Sequence, residues 1–176
     1  KSLSKRDFSR VIEPLKQIGV NFFPNKKKKL PLFIKGNEYL RPIKYFENRG
    51  SAQCKSSVML ASLFTPGCIK IIAKKSRNHT EIMFQNLKIP IKIKNKSNYD
   101  FITVEKPNKI KNISINIPGD ISSSAFFIVL TLLSKNSKLK IKNVNINPSR
   151  IGVIKILNKM GAKILLLNKK KNNNEE

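Results

Sequence analysis

The chain has 176 residues and carries 36 lysines and arginines against 10 acidic residues, a formal charge of +26. With 40% hydrophobic residues it is neither disordered nor fibrous, and its length holds one domain or two small ones around a real core. No apolar run approaches the roughly 18 residues of a membrane span, and two cysteines that form no CxxC pair, with a single histidine, exclude a disulfide framework, a Cys-based zinc site and a multi-histidine metal site.

The first predicted element is an amphipathic helix within Ser4 to Phe22, with Val11, Leu15 and Ile18 at helical spacing. Asn25 to Leu30, with its four consecutive lysines, reads as a solvated turn. Ser51 to Phe64 starts with small polar residues and becomes apolar nearly all round, which predicts a helix buried in a domain centre. A turn at Pro66-Gly67 and a strand from Ile69 to Ala73 follow. Ser76 to Ile93 repeats the first design, with Ile82, Phe84 and Leu87 on one helix face and a strand from Ile89 to Lys94. Ile113 to Ile117 alternates in the strand period, Pro118-Gly119-Asp120 reads as a domain crossover, and Ser122 to Leu133 is a second helix without a polar face. A strand is expected from Leu139 to Val144. Ser149 to Leu167 is a third copy of the first helix, with Ile154, Leu157 and Met160.

Gly19 and Gly161 stand where a left-handed residue ends a helix, and Ile89 takes the matching place in the middle copy, at spacings of 70 and 72 residues. Such a period implies a repeated α/β unit of about 70 residues. The chain opens without an initiator methionine in a polar stretch, and is expected to be a fragment of a longer protein. No signal peptide is recognised, and a reducing cytosol is the expected compartment.

The charge is mostly lysine: 30 Lys against 6 Arg, beside 24 Ile and 20 Asn. Lys, Ile and Asn have A/T-rich codons, so much of the charge reads as composition bias on solvated faces. Against that background the arginines Arg6, Arg10, Arg41, Arg49, Arg77 and Arg150 mark places suited to the planar guanidinium fork. Ser51, Ser76, Ser122 and Ser149 all fall at or near predicted helix starts, where free N–H groups suit an anion.

Five strings in order carry a resemblance. They are Leu3 to Leu15 (LSKRDFSRVIEPL), Arg49 to Leu60 (RGSAQCKSSVML), Ser76 to Glu81 (SRNHTE), Ile117 to Phe127 (IPGDISSSAFF) and Asn147 to Gly152 (NPSRIG). The chain resembles the 5-enolpyruvylshikimate-3-phosphate synthases, the enolpyruvyl transferases of the shikimate pathway. The resemblance implies an α/β fold of βαβαββ repeats with buried helices, an inside-out α/β barrel, here incomplete. Residues 1–117 would be part of the N-terminal domain, 118–168 the first repeat of the C-terminal domain, and 169–176 a frayed tail.

It implies roles as well. Ser51, Ala52, Gln53 and Arg77 would bind shikimate-3-phosphate, and Arg6 with Gln53 would bind phosphoenolpyruvate. Asp7 replaces the family's usual proline after that arginine and could draw Arg6 into an internal pair. His79 and Glu81 are read as cap and packing residues, Asp120 as a helix cap, and Arg150 as structural. No catalytic residue is expected within the chain: the family's catalytic Asp and Lys-Glu segment would follow residue 176, and its Lys-Ser pair would precede residue 1. No cofactor, metal, membrane or nucleic acid is implied, and the expected whole protein is a cytoplasmic monomer. The competing readings are a UDP-N-acetylglucosamine enolpyruvyl transferase and a basic RNA-binding protein. For the latter, Tyr39, Tyr45 and Phe46 lie near basic residues but form no RNP-like motif.

Overall fold

The computed structural model describes residues 3–170. The chain divides into two compact units, residues 1–111 and 112–176.

In the first unit a short 3-10 turn, Leu3–Lys5, leads into α1, Ser9–Ile18. Two short strands, β1 (Asn21–Phe23) and β2 (Phe33–Lys35), form an antiparallel pair. Then come β3 (Lys44–Glu47), α2 (Ala52–Ser62), β4 (Cys68–Lys74), α3 (His79–Asn86), β5 (Ile91–Lys96) and β6 (Tyr99–Glu105). This is one complete βαβαββ unit. Its sheet has the order β3-β4-β6-β5; β3 and β4 are parallel and the other pairs antiparallel.

The parallel pair follows from the connection, because α2 carries the chain back along the sheet between β3 and β4. The strand period decides the faces. Ile69, Ile71 and Ala73 of β4 are buried, as are their β6 neighbours Ile102 and Val104. Against them pack Ile18 of α1, Val58 and Met59 of α2, Phe84 of α3, and Ile89. The opposite face carries Lys70 and Lys74, with Lys92, Lys94 and Lys96 on the edge strand β5. Lysines on an exposed edge also discourage strand addition by another chain.

The three repeated helices end alike. Gly19, Lys88 and Gly161 adopt φ of 119°, 55° and 94°. The next residue's N–H then reaches back to the last turn: Val20 to Leu15 O, Ile89 to Phe84 O and Ala162 to Leu157 O, each at 2.9–3.0 Å. The middle copy corrects the sequence reading. Lys88, not Ile89, takes the left-handed position, while Ile89 is the apolar residue that follows and packs into the core.

The second unit contains α4 (Ile121–Leu133) and α5 (Gly152–Lys159) around Ile121, Ile128 and Ile154. Three expectations fail here. Ile113–Ile117 and Leu139–Val144 alternate correctly, but neither forms a strand among the described residues. Pairing is limited to a parallel bridge at Gly119 and Val144. A strand needs a neighbour along its length to satisfy its backbone groups, and alternation cannot supply one. The expected burial of α4 also fails: only Ile121 and Ile128 are buried, while Phe126, Phe127, Leu130 and Leu133 are more than 60% exposed. The turn at 25–30 is exposed as expected. Of the expected frayed tail, residues 171–176 lie outside the described residues.

Candidate active site

Because β3 and β4 are parallel neighbours with Glu47 opposite Ala73, the loops that leave their carboxyl ends emerge side by side. Open α/β sheets present ligand sites at such ends. One loop is Asn48-Arg49-Gly50-Ser51 and the other Lys75-Ser76-Arg77-Asn78.

The first loop is shaped by Glu47. Its buried carboxylate accepts the Arg49 N–H at 3.0 Å and the Gly50 N–H at 2.8 Å. Gly50 then turns the chain at φ 71°, a conformation L side chains rarely adopt. The turn delivers Ser51 as the N-cap of α2, its hydroxyl accepting the Cys54 N–H at 3.3 Å. A hydroxyl that accepts in this way still has its proton to donate. Ala52 opens the helix, and Gln53 is exposed.

The second loop is tied to the first through α2. Lys55 lies one turn after Ser51 and is fully buried. Its ammonium pairs with the buried Glu81 of α3 and donates to the Arg77 carbonyl at 3.0 Å. The hydroxyls of Ser56 and Thr80 meet at 2.6 Å. Arg77 thus has an anchored main chain and an exposed side chain. The Ser76 hydroxyl is buried with no hydrogen-bond partner, as is one oxygen of Glu81. Behind the loops, burial first and then the neighbouring Cys54 and Glu47 push the Tyr45 phenol up to about 12.

The structure sets the Ser51-Ala52-Gln53 turn beside the Arg77 loop and links them through Lys55. It does not join Arg6 to them by any hydrogen bond or ion pair among the described residues. Arg6 lies in the exposed turn before α1. The suspected Arg6–Asp7 pair does not form there either. Asp7 instead accepts the Ser9 N–H at 2.7 Å and the Ser9 hydroxyl, which holds its carboxyl below the usual range. Of the four serines expected at helix starts, only Ser51 is itself the cap. Asn78 and Ile151 hold the N-cap positions of α3 and α5, placing Ser76 and Ser149 two residues before them. Ser122 lies inside the first turn of α4.

Asp120 caps α4, accepting from Ser122 and Ser123 N–H at 3.1 and 3.2 Å. Arg150 bonds Asp120 at 2.5 Å and the Ser122 hydroxyl at 2.8 Å, lowering the Asp120 carboxyl to about 2. That helix start is therefore already filled by a carboxylate. A pocket of about 220 Å³ between α1 and residues 25–28 contains none of the expected site residues. No cluster of potential metal ligands and no helix long and apolar enough to cross a membrane occurs among the described residues.

Sequence reasoning passed over Lys55, and it read Ser76 only as one of four serines near helix starts. The signal for Lys55 was a lysine one turn after the predicted anion cap, in a helix expected to be buried. Such a position demands a buried partner.

The profile of the EPSP synthase family (3-phosphoshikimate 1-carboxyvinyltransferase) matches residues 1–175. The chain belongs to the EPSP synthase family. It is 43% identical over 168 residues to the 3-phosphoshikimate 1-carboxyvinyltransferase of Endomicrobium trichonymphae, covering 95% of this chain and 38% of that protein. The protein of the same name from Thermotoga sp. (strain RQ2) is 40% identical over 164 residues, covering 93% of this chain and 38% of its own length. The EPSP synthase of Acinetobacter baumannii, a solved structure, superposes with a TM-score of 0.79 at 34% identity, over 99% of this chain and 39% of that one. The chain thus spans about two fifths of the EPSP synthases it matches, and its mixed α/β architecture is that of the enolpyruvyl transferase fold.

Proposed function

We propose that this chain supplies part of the substrate site of an enzyme that transfers the enolpyruvyl group of phosphoenolpyruvate to the 5-hydroxyl of shikimate-3-phosphate, releasing phosphate. The observation that carries the reading is the paired loops at the ends of β3 and β4, where the Ser51 cap and Arg77 are tied through Lys55. Ser51 donates its hydroxyl proton to the phosphate of shikimate-3-phosphate, beside the free N–H groups of the first turn of α2. Arg77 grips the same phosphate with its guanidinium fork. The buried Ser76 hydroxyl supplies a further donor. Ala52 lines the substrate, and the Gln53 amide bonds near the reacting enolpyruvyl group. Arg6 neutralises the phosphate of phosphoenolpyruvate once the substrates are brought together. Two small anions must be held close and out of water, and fixed positive groups offset their repulsion.

The proton chemistry falls to other groups. Glu47 is committed to backbone N–H groups and Glu81 to Lys55. In this reading the acid and base lie outside the 176 residues, as they would if residues 1–117 and 118–168 belong to the two domains of a whole cytoplasmic, monomeric enzyme. The 176-residue chain by itself is then expected to bind shikimate-3-phosphate weakly and not to turn over. Robust activity of the purified chain would overturn this division of labour.

The direct test is Arg77→Lys in the full-length protein, read as the dissociation constant for shikimate-3-phosphate. Lys keeps the charge but loses the two-pronged grip, and a charged hydrogen bond contributes about 1.5–3 kcal/mol. An unchanged constant would make Arg77 a surface charge.

A further inference from the structure

We infer that Lys55 is a positioning residue for the anion site, acting through the main chain of Arg77 and held in place by Glu81. The inference rests on the reading of Ser51 and Arg77 as phosphate contacts.

Lys55 is fully buried near the start of α2, where an ammonium is expensive to desolvate. A hydrophobic residue would fill the volume without that cost, and the ion pair is weak evidence for stability as such. Its geometry has a second consequence. The ammonium uses one donor on Glu81 of α3 and another on the Arg77 carbonyl, which lies outside both helices. Arg77 sits between two fixed points: the end of β4 behind it, and α3 ahead, whose first turn carries Thr80 bonded to Ser56. One lysine therefore sets the orientation of the Arg77 peptide relative to the helix start that carries Ser51. The Arg77 side chain leaves its backbone at an angle that peptide fixes. Held this way, the guanidinium and the α2 cap face a tetrahedral anion without first paying to order a free loop.

A lysine that only stabilised the fold would affect binding equally whether or not Arg77 were present. A lysine that positions Arg77 would affect it only when the guanidinium is there. The experiment is a double-mutant cycle on the full-length protein, read as the shikimate-3-phosphate dissociation constant by calorimetry. Lys55→Met is combined with Glu81→Gln, so that no buried charge is orphaned and the side-chain volumes are kept. This pair is introduced with Arg77 intact and again with Arg77→Ala.

The expected result is a loss of roughly tenfold in affinity with Arg77 present and little or none in the Arg77→Ala background. Equal losses in both backgrounds, or no loss with Arg77 present, overturn the positioning role while leaving the site reading intact. An Arg77→Ala variant that binds as tightly as the parent overturns the site reading itself, and the inference with it. Should the Lys55→Met/Glu81→Gln protein not fold, Ser56→Ala with Thr80→Val cuts the neighbouring tie more gently. It is expected to weaken binding in the same Arg77-dependent manner, and additive behaviour there counts against the inference.

Discussion

Lys55→Met alone breaks the buried pair of Lys55 and Glu81 from one side. It keeps the volume of the side chain but removes the partner of Glu81, which is only 3% exposed and already has one oxygen without a hydrogen bond. The Arg77 carbonyl loses its donor at the same time. Breaking a buried ion pair from one side costs about 3–5 kcal/mol, because a charge is left without compensation. Set against a total stability of about 5–15 kcal/mol, that is a large fraction. At a few degrees per kcal/mol for a unit of this size it lowers the melting temperature by roughly 10–20 °C. Removing both charges, with Lys55→Met and Glu81→Gln together, is expected to restore most of the loss, since neutral isosteres can replace a buried pair with little change. The assay is urea denaturation followed by circular dichroism on parent, single and double variants, checking that the slope of the transition is unchanged. If the single variant is no less stable than the double, the charge of Glu81 is compensated elsewhere and the reasoning fails.

Gln53→Ala is expected to leave the melting temperature nearly unchanged, because the side chain is exposed. In the full-length enzyme it lowers turnover by roughly tenfold to a hundredfold, the loss of one hydrogen bond to a reacting substrate; a large drop in melting temperature with normal turnover would make Gln53 a folding residue. The Tyr45 phenol should titrate near pH 12 rather than 10. Since its raised value favours the neutral form in the folded state, the associated stabilisation is present below about pH 10 and is lost as pH rises through about 12. Alkaline titration of tyrosinate absorbance, with Tyr45→Phe as the reference, checks this, and a normal titration would show that the ring is solvated.

Much of this protein is legible in its sequence. Local chemistry placed α1, α2, α3, α4 and α5 in order, since apolar spacing, small polar starts and left-handed stops act over a few residues. The alternation of Ile69, Ile71 and Ala73 was enough to identify β4 and its buried face. The strings around Ser51 and Arg77 carried the family. Other features depend on residues far apart in the chain. Ile113–Ile117 carries the same alternation as β4 and forms no strand, because β4 has β3 and β6 beside it and Ile113–Ile117 has no such partners among the described residues. α4 has the composition of a buried helix, yet most of its apolar surface is exposed. Burial depends on what packs against a helix, which its own sequence does not state. Lys88 holds the left-handed position because Ile89 is drawn into the core, a preference of packing over the glycine rule. The tie from Lys55 to Glu81 and Arg77 depends on two parallel strands setting their loops side by side. Short-range preferences are written in consecutive residues, whereas strand partners, burial and buried charge pairs exist only once distant segments have met.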